Sequence, residues 1–148
     1  MWLTDEQQQV WRAYLEMVSR LQTAMHRQLQ HDCELSLSDY DVLVVLSEEG
    51  PLRINELGEV LGWEQSRLSH QLRRMRGRGL VVRHGSDDDR RGATVELTDG
   101  GRAALDTAAP GHVELVRSVV FDGLTAAQLR AFGSVMESAL ARLTSPPR

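Results

Sequence analysis

The chain has 148 residues, 41% of them hydrophobic and 26% charged, with a formal net charge of −4. That size and balance suit one globular domain with a real core, and no apolar run approaches the roughly 18 residues of a membrane span. All 17 basic residues are arginine and Cys33 is the single cysteine, which excludes an internal disulfide framework and fits a reducing compartment.

The amino terminus, Met1-Trp2-Leu3-Thr4-Asp5-Glu6, has no basic stretch followed by an apolar one, so a cytoplasmic location is expected. Thr4 and Gln7 have capping-box spacing, and Val10, Tyr14, Met17, Leu21, Met25 and Leu29 then recur every three or four residues. This predicts a long first helix ending near His31-Asp32, with more apolar face than a short neighbour can cover, which hints at a partner chain. Ser38 with Asp41 is the expected cap of a second helix carrying Tyr40, Leu43 and Leu46, which Gly50-Pro51 stops. A third helix runs from Ile54 through Leu57 to Leu61. Gly62 ends it, and a fourth follows from Glu64 to Arg76 after a tight turn, which makes the pair a helix-turn-helix candidate.

Beyond Gly79 the period changes. Leu80 and Val82 alternate with Val81 and Arg83, and Ala93, Val95 and Leu97 alternate with Thr94 and Glu96, so two strands flank a polar hairpin loop from Gly85 to Gly92. Thr98 opens another helix, with Val113, Val116 and Val120 on one face, which Pro110-Gly111 is expected to kink or interrupt. A last helix begins at Thr125, spaced from Gln128 as a capping box, with Leu129, Phe132, Met136, Leu140 and Leu143 on one stripe.

Eight of the 17 arginines lie between Ser66 and Arg91, against only Asp87, Asp88 and Asp89, so this stretch carries +5 and the remainder −9. A polyanion-binding patch on an otherwise acidic molecule is the expected consequence. At 100° per residue Leu68, Leu72 and Met75 define the buried side of the fourth helix. The opposite side then presents Ser66, His70 and Arg73 at its centre, with Arg67, Ser69 and Arg74 on the flanks. Guanidinium groups and short hydroxyls suit base-edge and phosphate contacts. Solvated helix faces normally mix signs, yet Ser66 to Gly85 contains no acid. The face also lacks the aromatic anchors expected of a protein-binding surface. The loop reads as a wing, with Arg90 or Arg91 suited to a narrow minor groove. One of the three aspartates would orient an arginine, or Asp87 and Asp88 would serve only as turn formers. Arg76, Arg78 and Arg83 are phosphate neighbours or bystanders.

Other chemistries find little support. Gly77-Arg78-Gly79 follows a helix rather than a strand, and no Ser, His and acid set or paired carboxylate motif appears, so no enzyme is expected. His26, His31, Asp32, Cys33 and Glu34 lack the tight spacing of a structural metal site, and neither metal nor cofactor is expected.

The residues Ser66-Arg67-Leu68-Ser69-His70-Gln71-Leu72, Arg78-Gly79-Leu80-Val81, and Asp89-Arg90-Arg91-Gly92 followed by Val95-Glu96-Leu97-Thr98-Asp99-Gly100-Gly101 resemble the MarR family of winged-helix transcriptional regulators over almost the whole chain. The last group is similar to the family's wing signature and its strand-to-helix junction. Glu64 departs from the Ser or Asp that often caps the recognition helix, and is a weaker cap. The resemblance implies a mainly α fold with a small β-hairpin wing (α+β): a winged helix-turn-helix over 38–98 with N- and C-terminal dimerisation helices over 3–31 and 99–144, in a single domain of 148 residues. It implies a homodimeric repressor that binds double-stranded DNA at a palindromic operator, with Arg91 in the minor groove, Asp89 holding it, and Arg90 on a phosphate. It implies a small phenolic or anionic effector between the dimerisation helices and the winged part, for which Trp11, Arg12, Tyr14, His26 and Tyr40 are the candidate residues. Some relatives sense oxidants through a cysteine near the start of the first helix. Cys33 falls past the end expected near His31-Asp32, where a small idle or buried thiol is the expected reading.

Overall fold

The computed structural model describes residues 1–85 and 92–145. The chain divides into two compact units, one spanning Met1–His112 and one beginning at Val113.

In the first unit, α1 (Asp5–Cys33) opens on Thr4, whose side chain accepts from the Gln7 backbone while the Gln7 side chain accepts in return. It ends at Glu34, held in the left-handed region at φ 56°. α2 (Leu37–Glu49) is capped by Ser36 with Asp39, not by Ser38 with Asp41. Both pairs have the same spacing. The earlier start puts Leu35 and Tyr40, both in the core, at the two positions of a hydrophobic staple, which favours it. A two-residue strand, β1 (Leu52–Arg53), precedes α3 (Ile54–Leu61) and α4 (Gln65–Gly77). The hairpin β2 (Val81–His84) and β3 (Thr94–Leu97) is antiparallel, with Val81 opposite Leu97 and His84 opposite Thr94. β1 adds to the free edge of β3, giving the sheet order β1-β3-β2. Sequence periodicity misses β1 because two residues carry no period.

The core gathers Leu29, Leu35, Val42, Leu43, Leu57, Leu68, Met75 and Val95, all less than 2% exposed. Burying each such aliphatic side chain stabilises the fold by about 1.5–3 kcal/mol. α5 (Asp99–Val116) adds Leu105 and Ala108 to this core and runs through Pro110 unbroken. The proline denies a donor to the carbonyl of Asp106, but both residues are exposed and water can take that bond.

The second unit holds the end of α5, a π-helical turn at Arg117–Phe121 and α6 (Ala126–Thr144). Thr125 and Gln128 cap α6 reciprocally, as their spacing predicts. Each long helix leaves much of its apolar stripe exposed, although Leu29 of α1 is buried. On α1 Val10, Tyr14 and Met17 are 65%, 39% and 37% exposed, and on α6 Leu129, Phe132 and Leu140 are 48%, 38% and 59% exposed.

Candidate nucleic-acid interface

Two helices and the turn between them build the site. Gly62, at φ 69°, ends α3 in a conformation that costs glycine little, and the Trp63 N–H closes the turn on the Gly58 carbonyl at 3.0 Å. Glu64 is the N-cap of α4 and makes no side-chain cap bond, in keeping with its weakness as a cap. Leu68, Leu72 and Met75 are buried, which fixes the opposite face outward.

That face carries Ser66, Ser69, His70 and Arg73, all exposed. Among the described residues none of their side chains has a hydrogen-bond or ion-pair partner, so their polar groups are available to an external ligand. Ser66, Ser69 and Arg73 also line one side of a groove of about 780 Å³ between α4 and the sheet, shared with Arg76 and Arg83 and floored by Ile54, Leu72 and Val95. Three guanidinium groups over an apolar floor make this groove suited to a nucleic-acid backbone. Arg76 and Arg83, which the sequence leaves as phosphate neighbours or bystanders, line this groove.

The flanking arginines are less free than a helical wheel suggests. The Arg67 guanidinium lies over the Trp63 ring, 4.0 Å from its centroid. Its charge also reaches Asp41, whose carboxyl burial pushes above the usual range and Arg67 pulls back down. Arg74 donates to the Gln71 side-chain oxygen at 2.7 Å. Trp63 and Gln71 were missed by sequence reasoning. The signal for Gln71 was its place three residues after Leu68 and four before Met75, which on the wheel sets it about 40° from Met75, at the margin of the buried face. For Trp63 it was the i, i+4 spacing to Arg67.

The wing is held from below. Thr98 donates through its hydroxyl to the Gly79 carbonyl and accepts from the Gly101 N–H at 2.9 Å, and its own N–H reaches the Leu80 carbonyl at 3.2 Å. In the hairpin His84 Nε2 meets Glu96 at 2.6 Å. The wing-tip candidates Asp89, Arg90 and Arg91, with the rest of 86–91, lie outside the described residues.

The five effector candidates are not brought together. Trp11 stacks on Tyr14 with centroids 5.4 Å apart, both exposed. Tyr14 and His26 stand about 18 Å apart along the axis of α1 at 1.5 Å per residue. Arg12 and His26 are exposed, whereas Tyr40 is buried and packs on His112 at 4.3 Å. Burial holds the His112 imidazole below its ordinary range. Cys33 donates to the Leu29 carbonyl at 3.2 Å, and burial pushes its thiol up. Among the described residues no three His, Cys, Asp or Glu side chains gather to hold a metal ion, and no helix is long and apolar enough to cross a membrane.

A helix-turn-helix with an acid-free outward face, followed by an antiparallel hairpin beside it, defines a winged helix-turn-helix. The MarR family model matches residues 34–92. The chain is 39% identical to Sco3205, a MarR family transcriptional regulator from Streptomyces coelicolor crystallised in complex with DNA, with a TM-score of 0.91 over 98% of this chain and 92% of that one. It is 36% identical to AbsC, a MarR family regulator from the same organism, with a TM-score of 0.89 and 97% of each chain covered. The organic hydroperoxide resistance transcriptional regulator of Bacillus subtilis is 29% identical over 97 residues, which are 64% of this chain and 66% of that protein. The chain belongs to the MarR family of DNA-binding transcriptional regulators, which are not enzymes.

Proposed function

We propose that this protein is a homodimeric, effector-responsive repressor that binds a palindromic operator. The observation that carries the reading is the outward face of α4, where Ser66, Ser69, His70 and Arg73 are exposed and, among the described residues, unmatched by any acid. These four side chains read base edges in the major groove, with Arg67 and Arg74 on its flanks. From the sequence we assign the wing's DNA contacts to Asp89, Arg90 and Arg91, with Arg91 in the minor groove. Residues 38–98 make up the DNA-binding part.

The exposed apolar stripes of α1 and α6 support pairing of two copies through 3–31 and 99–144. A twofold dimer places two copies of α4 about one helical turn apart, which calls for a palindrome. The crystallisation of Sco3205 with DNA supports the same reading. For the effector, the supporting observation lies where α1 meets α5. Gln28 Oε1 and His112 Nδ1 are buried there without a partner among the described residues, with Tyr40 against the His112 ring. A small phenolic or anionic molecule would find hydrogen bonds at that place.

Selection of binding sites from random DNA tests the proposal. A palindrome with half-sites about one helical turn apart, bound at roughly 10⁻⁸ M or tighter, is the expected result. Recovery of no common sequence would refute it. Titration of the selected duplex with hydroxybenzoates tests the effector, release of DNA being expected and undisturbed binding the contrary result.

A further inference from the structure

We propose that Gln71 is a positioning residue for DNA binding, a buried amide that fixes the guanidinium of Arg74 for a backbone phosphate. This rests on α4 being the recognition helix. Gln71 is 3% exposed, although the other buried residues of α4 are Leu68, Leu72 and Met75. A buried amide is tolerated where its bonds are made, and here both ends are used. Nε2 donates to Asp39 Oδ1, and Oε1 accepts from Arg74 Nη2 at 2.7 Å. A carboxylate only accepts, so Asp39 decides which end of the amide faces it, and the amide oxygen is left to face Arg74.

Asp39 is itself fixed. Its other oxygen accepts from the Ser36 N–H at 2.9 Å and from Arg78 Nη1 at 3.1 Å, while the Asp39 N–H donates to the Ser36 hydroxyl at 3.0 Å. Arg78 also reaches the Glu34 carbonyl at 2.8 Å, at the left-handed end of α1. A chain of hydrogen bonds therefore runs from the end of α1, through the cap of α2, to the exposed surface of α4.

Packing α4 against α2 would need only an apolar side chain at position 71. What the amide adds is a donor to the buried Asp39 carboxylate and an acceptor for Arg74, whose side chain faces solvent and whose guanidinium keeps further N–H donors in one plane. An arginine held at one nitrogen keeps its remaining N–H groups free and oriented for a two-oxygen acceptor such as phosphate.

Operator titration at several salt concentrations with Gln71→Met, Arg74→Ala and the double variant tests the role. Gln71→Met and Arg74→Ala are each expected to weaken binding about tenfold, and the double variant to bind within about twofold of Arg74→Ala. Arg74→Ala should also reduce the salt slope by about one. Additive losses, or wild-type affinity in Gln71→Met, overturn the proposal. If circular dichroism shows Gln71→Met unfolded, Arg74→Lys decides: it keeps the charge but not the planar fork, so it should keep the wild-type salt slope and still lose several-fold in affinity, and wild-type affinity overturns the role. Wild-type protein that selects no operator overturns the recognition-helix reading itself, a failure distinct from additivity.

Discussion

Gly101 passes so close to Leu80 that a side chain on it would overlap the Leu80 carbonyl oxygen and sit 3.0 Å from the carbonyl carbon. The contact locks the start of α5 under the first wing strand. Both neighbours are backbone, so neither can rotate away. Gly101→Ala is expected to destabilise the protein by about 3 kcal/mol or more in urea unfolding. Gly123→Ala, where an added Cβ meets nothing within 4 Å, should stay within about 0.5 kcal/mol of wild type.

Trp63 and Arg67 form a stacked pair at the mouth of the helix-turn-helix. Replacing Trp63 by Leu keeps apolar bulk and removes the π face. A double-mutant cycle of Trp63→Leu with Arg67→Ala should give a coupling of about 0.5–1 kcal/mol in stability. Zero coupling would mean that the ring does not hold the guanidinium.

Because burial keeps His112 below its ordinary pKa of 6.5, the folded state binds fewer protons there than the unfolded chain. Its contribution to stability is intact above about pH 6.5 and is lost as pH falls below that value. His112→Phe retains a ring against Tyr40, and its urea midpoint should fall less steeply than that of the wild type between about pH 7 and 5. Parallel pH profiles would contradict this.

The Cys33 thiol, raised by burial and bonded to the Leu29 carbonyl, should remain protonated at neutral pH. Alkylation at pH 7 should run slower than that of a free cysteine, and Cys33→Ser should bind operator with or without peroxide as the wild type does. Release of the wild type alone by peroxide would restore a redox role.

The fold was legible where one period or one cap governs a segment. Thr4 with Gln7, Thr125 with Gln128, and Leu68 with Leu72 and Met75 each sit as their spacing predicts. It was less legible where two local signals compete. Ser36-Asp39 and Ser38-Asp41 have equal spacing, and burial of Leu35 beside Tyr40 favours the first. Pro110 signals a kink or an interruption, and α5 is not interrupted there. In the site, the outward residues followed from the wheel, but the fastening of Arg67 and Arg74 did not. Gln71 meets Asp39 across 32 residues of sequence, and no local pattern reports such a contact.

The central claim is that the outward face of α4 reads base sequence. The most direct measurement is the affinity of wild type and Arg73→Ala for a selected operator and for each of its single-base variants. Arg73→Ala should lose about 1–3 kcal/mol at one base pair per half-site and become indifferent to that base, whereas Arg91→Ala should bind more weakly at wing-contacted positions with a smaller loss of preference. An Arg73→Ala protein with wild-type affinity, base preference and salt slope would contradict the account.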